Sequence, residues 1–183
     1  MNCWKTISIA NEFDKGRLWL LSALTMLIYF LLFFVIFSTF QPNTLFVDYG
    51  ILFFILLILA AIPLHLFLHC LPIWLAGKRA TFGVRKDQWP YFYYSTKEVL
   101  PKRLVLLAVC FPALVITAGS ILITVLHPQW MHYTAIVSAF NSGMCVYDFL
   151  NVLIIKAAPK KSFVEEHRDG YHVLCRNKQI AQK

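Results

Sequence analysis

The sequence predicts an all-α membrane protein with four transmembrane helices and a short β-hairpin in the loop spanning residues 77–103. Three observations lead there. The chain is 59% hydrophobic and only 14% charged. Its apolar residues gather in four blocks, far longer than a helix in a soluble core requires. Its basic residues avoid two of the three connections between those blocks.

The blocks run approximately from Leu18 to Phe40, Val47 to Ala76, Leu104 to Leu126 and Met131 to Ile155. Crossing about 30 Å of hydrocarbon at 1.5 Å per residue takes roughly 20 apolar residues, and each block meets or approaches that length. The first is too long for a signal-peptide core and lacks a small-residue cleavage pattern after it, so it is expected to remain as a span. The second contains Pro63 and Pro72, where a helix can bend. No repeat or flexible linker divides the sequence, so one integral membrane domain covering residues 1–183 is expected, with a cytoplasmic tail over 159–183.

Loop 77–103 contains two segments rich in β-branched and aromatic residues, Thr81 to Val84 and Tyr91 to Thr96, separated by Lys86, Asp87, Gln88 and Pro90. This reads as strand, turn, strand. The alternative is an aromatic segment lying in the headgroup region, since Trp89, Tyr91, Phe92, Tyr93 and Tyr94 sit beside Lys and Arg. In the tail, Tyr171 to Cys175 reads as a further short strand.

The 17 Lys and Arg residues fall near the N-terminus, in the segment from Lys78 to Arg103, and from Lys156 onward. The connections at Gln41 to Phe46 and His127 to Gln129 hold none. By the positive-inside rule both termini and the central loop are cytoplasmic, which makes this a multi-pass protein of the cell membrane. A formal charge of +8 placed this way meets anionic lipid, so membrane lipid is the expected partner and nucleic acid is not. The five cysteines show no C-x-x-C spacing, so neither a disulfide framework nor a zinc finger is indicated.

Three ionisable residues lie deep inside the apolar blocks: His65 and His69 in the second, Asp148 in the fourth. Such a group in hydrocarbon costs several kcal/mol unless paired, hydrated or metal-bound, so each marks a candidate site. Positions i and i+4 share one helix face, where two imidazoles can bind one ion. Counting back from Lys78 and Lys156 puts His69 and Asp148 at the same depth, roughly 12 to 14 Å inward. Asn141, Cys145, Asp148 and Asn151 or Val152 form a polar stripe at helical spacing, expected to face the bundle. His, His and carboxylate make a common catalytic zinc set, so His65, His69 and Asp148 are the candidate zinc ligands, with Asn141, Cys145 and Leu66 around them. The opposing reading is that each polar residue is only a hydrogen-bonded helix-packing group. His127 and His132, beside Trp130 and Tyr133, read as an interfacial belt, and Gly119-Ser120 and Ser142-Gly143 as small residues for close helix packing.

The pattern resembles the zincin-like peptidases of bacterial membranes, small multi-pass proteins distantly similar to site-2 intramembrane proteases. The resemblance rests on His65-Leu66-Phe67-Leu68-His69, the basic and aromatic loop, Phe111-Pro112-Ala113, the segment Asn141 to Asp148, and Glu165 to Tyr171. It covers about Val47 to Tyr171 and implies a zinc-dependent intramembrane metallopeptidase. Leu66 stands where H-E-x-x-H carries the glutamate that takes a proton from metal-bound water. The chain is therefore expected to be a pseudoprotease that binds a segment of a membrane protein. Two rivals are an active zinc peptidase with a relocated general base and a non-enzymatic transporter accessory or scaffold.

Overall fold

The computed structural model describes residues 2–7, 14–84, 92–96, 98–159, 161–167 and 170–175. Four long helices dominate it: α1 (Lys15–Phe40), α2 (Gly50–Leu75), α3 (Lys102–Leu126) and α4 (Met131–Ala157). All four are long and apolar enough to cross a membrane. The strands are β1 (Asn2–Ile7), β2 (Thr81–Val84), β3 (Phe92–Ser95), β4 (Leu100–Pro101), β5 (Phe163–His167) and β6 (Gly170–Cys175).

Local chemistry sets the helix ends. Asp14 caps α1, its carboxylate accepting from the backbone N–H of Gly16 at 3.0 Å and of Arg17 at 3.4 Å. Helix α2 stops at Gly77, whose φ of 72° favours a residue without a Cβ. Around that turn Lys78 N–H donates to the Ile73 carbonyl and Gly77 N–H to the Trp74 carbonyl, satisfying the last carbonyls of the helix.

Helix α4 lies at the centre, packed against α1, α2 and α3. It is also the helix with the largest buried share, and its buried face includes Ser138, Asn141, Cys145, Asp148 and Asn151. The expected polar stripe therefore faces the bundle. Gly143 is where α1 comes closest: a Cβ there would stand 3.2 Å from the Ser22 carbonyl oxygen. Gly119, read as a second close-packing glycine, instead has open space where its Cβ would be. Gly143→Val is expected to destabilise the α1–α4 contact by about 1–3 kcal/mol, while Gly119→Ala is expected to be near neutral. Thermal unfolding of the detergent-solubilised variants checks both.

The hairpin expected in the central loop is present as β2 paired with β3. The strand expected at Tyr171 to Cys175 is present as β6, but it belongs to a four-stranded antiparallel sheet of order β1-β6-β5-β4 that the sequence did not announce. Pairing of β1 with β6, of β6 with β5 and of β5 with β4 joins the strand before α1, the two strands after α4 and the start of α3 in one sheet. The core lies where this sheet meets the helix ends, and includes Leu18, Cys70, Ile73, Leu100, Val109, Ile155, Val164 and Val173.

At the same junction the buried Lys102 reaches from α3 to the end of α4, its ammonium donating to the carbonyls of Lys156 and Ala158. A cation at a helix C-terminus meets the negative end of the dipole as well as two open acceptors. Outside the helices, Lys78 donates to Glu98 at 2.7 Å and the Arg79 N–H donates to the same carboxylate. These bonds, Lys78's first, hold the Glu98 carboxyl below its usual value. Their contribution to stability is present above the ordinary carboxylate pKa and fades as pH falls through the lowered one.

Candidate metal centre

Helix α2 presents His65 and His69 one turn apart on its buried face, and α4 presents Asp148 opposite them. The Nε2 atoms of the two histidines are 3.0 Å apart, and each lies 3.3 Å from Asp148 Oδ2. All three side chains are buried, His69 to 1% exposure.

Partners on neighbouring helices fix the ring orientations. His65 Nδ1 lies 2.8 Å from Asn141 Oδ1 on α4, and His69 Nδ1 lies 2.9 Å from the Ala108 carbonyl oxygen on α3. Both oxygens are acceptors, so each Nδ1 carries a proton, and in the neutral ring each Nε2 has its lone pair pointing inward. The close Nε2 pair is therefore not a hydrogen bond between neutral rings. Asp148 Oδ2 is likewise buried with no hydrogen-bond partner.

The Ala108 carbonyl is open to His69 because of a proline. In an α-helix the carbonyl of residue 108 accepts from the N–H of residue 112, and Pro112 has none. Pro112 thus exposes a backbone acceptor at the level of the histidines. The backbone group was not foreseen from sequence, although a proline four residues downstream is the signal that could have found it.

Three electron-rich atoms converging in an apolar interior repel one another unless a metal cation or a proton on one imidazole sits between them. Ligands held tetrahedrally at about 2.0–2.1 Å from zinc stand roughly 3.3–3.4 Å from one another. The edges of 3.3, 3.3 and 3.0 Å match that spacing on two sides and fall slightly inside it on the third. The donor set and its outward partners fit zinc: two imidazoles with Nδ1–H anchored, and one carboxylate. Cys145 is close by, with its Sγ and the ligand atoms of His65 and Asp148 all within 4.8 Å of one another.

Leu66, next to His65, is buried and has no group that can accept a proton. Among the described side chains, the carboxylates other than Asp148 are engaged or placed elsewhere. Asp14 caps α1, Asp48 receives the Gly50 N–H before α2, Glu98 is held by Lys78, and Glu165 is exposed on β5. Glu166, named with the tail carboxylates in the sequence, has a side chain outside the described residues.

His127 and His132 lie far along the chain's helices from this cluster. They stack among aromatic rings, His127 with Trp130 at 5.4 Å and His132 with Tyr133 at 4.0 Å between centroids.

Comparison with known proteins adds one match. No curated protein and no solved structure matches the chain. Residues 57–163, which include both histidines, Pro112, Asn141, Cys145 and Asp148, match a family described as "Putative zincin peptidase". With more than half of its length inside that match, and with the buried cluster of two imidazoles and a carboxylate lying within it, the chain belongs to this zincin peptidase family.

Proposed function

We propose that this protein is a multi-pass protein of the cell membrane that binds zinc through His65, His69 and Asp148 but has lost efficient peptide hydrolysis. In this reading it holds a transmembrane or membrane-proximal segment of a partner protein where an active relative holds substrate. The termini, the sheet and the central loop face the cytoplasm, an orientation supported by the confinement of all 17 Lys and Arg residues to those parts.

The observation that carries the proposal is the contrast within one turn of α2. Two of the three edges among His65 Nε2, His69 Nε2 and Asp148 Oδ2 match the spacing that zinc ligands take, while the position beside them, Leu66, is hydrocarbon. Bound zinc supplies a Lewis acid that polarises a carbonyl. The chain's own groups then divide the work. Asn141 and the Ala108 carbonyl hold the imidazoles with Nε2 inward, Asp148 contributes a negative charge, and the apolar helix faces keep bulk water out. Moving a proton from water to a leaving amine needs a base at the position of Leu66, and loss of such a base slows reaction by roughly 10²- to 10⁴-fold.

Metal analysis of the purified protein tests the first half. Zinc bound in near-equimolar amount, falling to near zero in His69→Ala, is the expected result; equal and near-zero zinc in both would overturn it. Co-expressed single-span membrane proteins test the second half. They are expected to co-purify uncut, and cleavage that disappears in Asp148→Ala would show that a base is recruited from elsewhere.

A further inference from the structure

We infer that Cys145 supplies the fourth metal ligand through its thiolate, closing the coordination sphere that a working zincin leaves open to water. The inference rests on the zinc reading above and adds to it.

Placement comes first. Cys145 lies three residues before Asp148 on α4, so the two share a helix face, and both are buried. The Cys145 Sγ already lies within 4.8 Å of the His65 and Asp148 ligand atoms. A zinc–sulfur bond is about 2.3 Å long, and a change of rotamer moves a cysteine sulfur by about 3 Å, which is on the scale of the distance to be closed.

Charge makes the same assignment. A divalent ion held by two neutral imidazoles and one carboxylate keeps a net positive charge, which is expensive in hydrocarbon. Adding a thiolate makes the centre neutral. As the zinc–sulfur bond forms, the S–H bond breaks and its proton leaves to water, so one proton is released for each ion bound.

An unused donor completes the picture. Asn141 Nδ2 is buried without a hydrogen-bond partner, while the same amide's oxygen faces His65. Asn141 is one helical turn before Cys145, on the same buried face of α4. Its N–H is therefore placed to donate to a cysteine thiolate, so a single amide would brace one imidazole and the sulfur together.

X-ray absorption at the zinc edge of the full chain, purified in detergent with stoichiometric zinc, tests this. The expected spectrum contains one sulfur scatterer at about 2.3 Å. That sulfur persists in Cys70→Ser and Cys110→Ser and is replaced by oxygen in Cys145→Ser. A shell of nitrogen and oxygen alone in the native protein would overturn the role of Cys145 and leave zinc binding standing. Failure of the native protein to bind zinc at all would overturn both. A sulfur signal that survives Cys145→Ser would also overturn the assignment.

Discussion

The double variant Leu66→Glu/Cys145→Ser is expected to cleave a membrane-spanning test peptide roughly 10²- to 10⁴-fold faster than the native chain. On the proposed reading, the two substitutions repair different deficits. Glutamate at position 66 would supply the group that, in H-E-x-x-H, takes a proton from water and returns it to the leaving amine. Serine at position 145 removes the proposed sulfur ligand, so that water can occupy the fourth metal position. The effects should be far from additive: Leu66→Glu alone stays slow because no water is held at the metal, and Cys145→Ser alone stays slow because nothing accepts the proton. Mass spectrometry of the peptide in mixed micelles, with Asp148→Ala added as a blank, reads the result. Equal activity of the single Leu66→Glu variant would mean that water already reaches the metal. A native rate matching the double variant would remove the idea of an impaired enzyme.

Pro112→Ala is expected to weaken zinc binding by about 10- to 100-fold, the usual penalty for losing a group that orients a metal-bound histidine. Alanine returns an N–H to position 112, where it competes with His69 for the Ala108 carbonyl. The same substitution should raise the thermal stability of the metal-free protein, because a proline within a helix costs up to about 3 kcal/mol. Opposite signs in two measurements, zinc competition titration and metal-free melting, separate this role from simple damage to the fold. If zinc affinity were unchanged, the Ala108 carbonyl would have no part in orienting His69.

How much of this could be read from sequence differs from part to part. The four helices were legible because hydrocarbon leaves few choices: the spans expected at 18–40, 47–76, 104–126 and 131–155 appear within about three residues of those limits. The His65, His69 and Asp148 cluster was legible for the same reason, since ionisable groups stand out against so apolar a background. The hairpin was local enough to be seen in the run from Thr81 to Ser95. The sheet was not. Strand β1 carries no marked alternation, and its partner β6 lies beyond all four helices, so no pattern near Asn2–Ile7 reveals the pairing. The Ala108 carbonyl was hidden for a different reason: every residue has a carbonyl, and only the distant influence of Pro112 distinguishes this one.

The alliance of β1 with β6 has a consequence for biogenesis. Strand β1 leaves the ribosome before its partner β6 and must wait for it, with all four long helices made in between. Its backbone donors and acceptors remain open during that wait, and the loop that the pairing closes contains all four long helices. Insertion of the helices and maturation of the sheet are thus separate events in time. A nascent chain halted after α4 would carry its spans in place and its leading strand unmated, in a form that quality-control proteases can recognise.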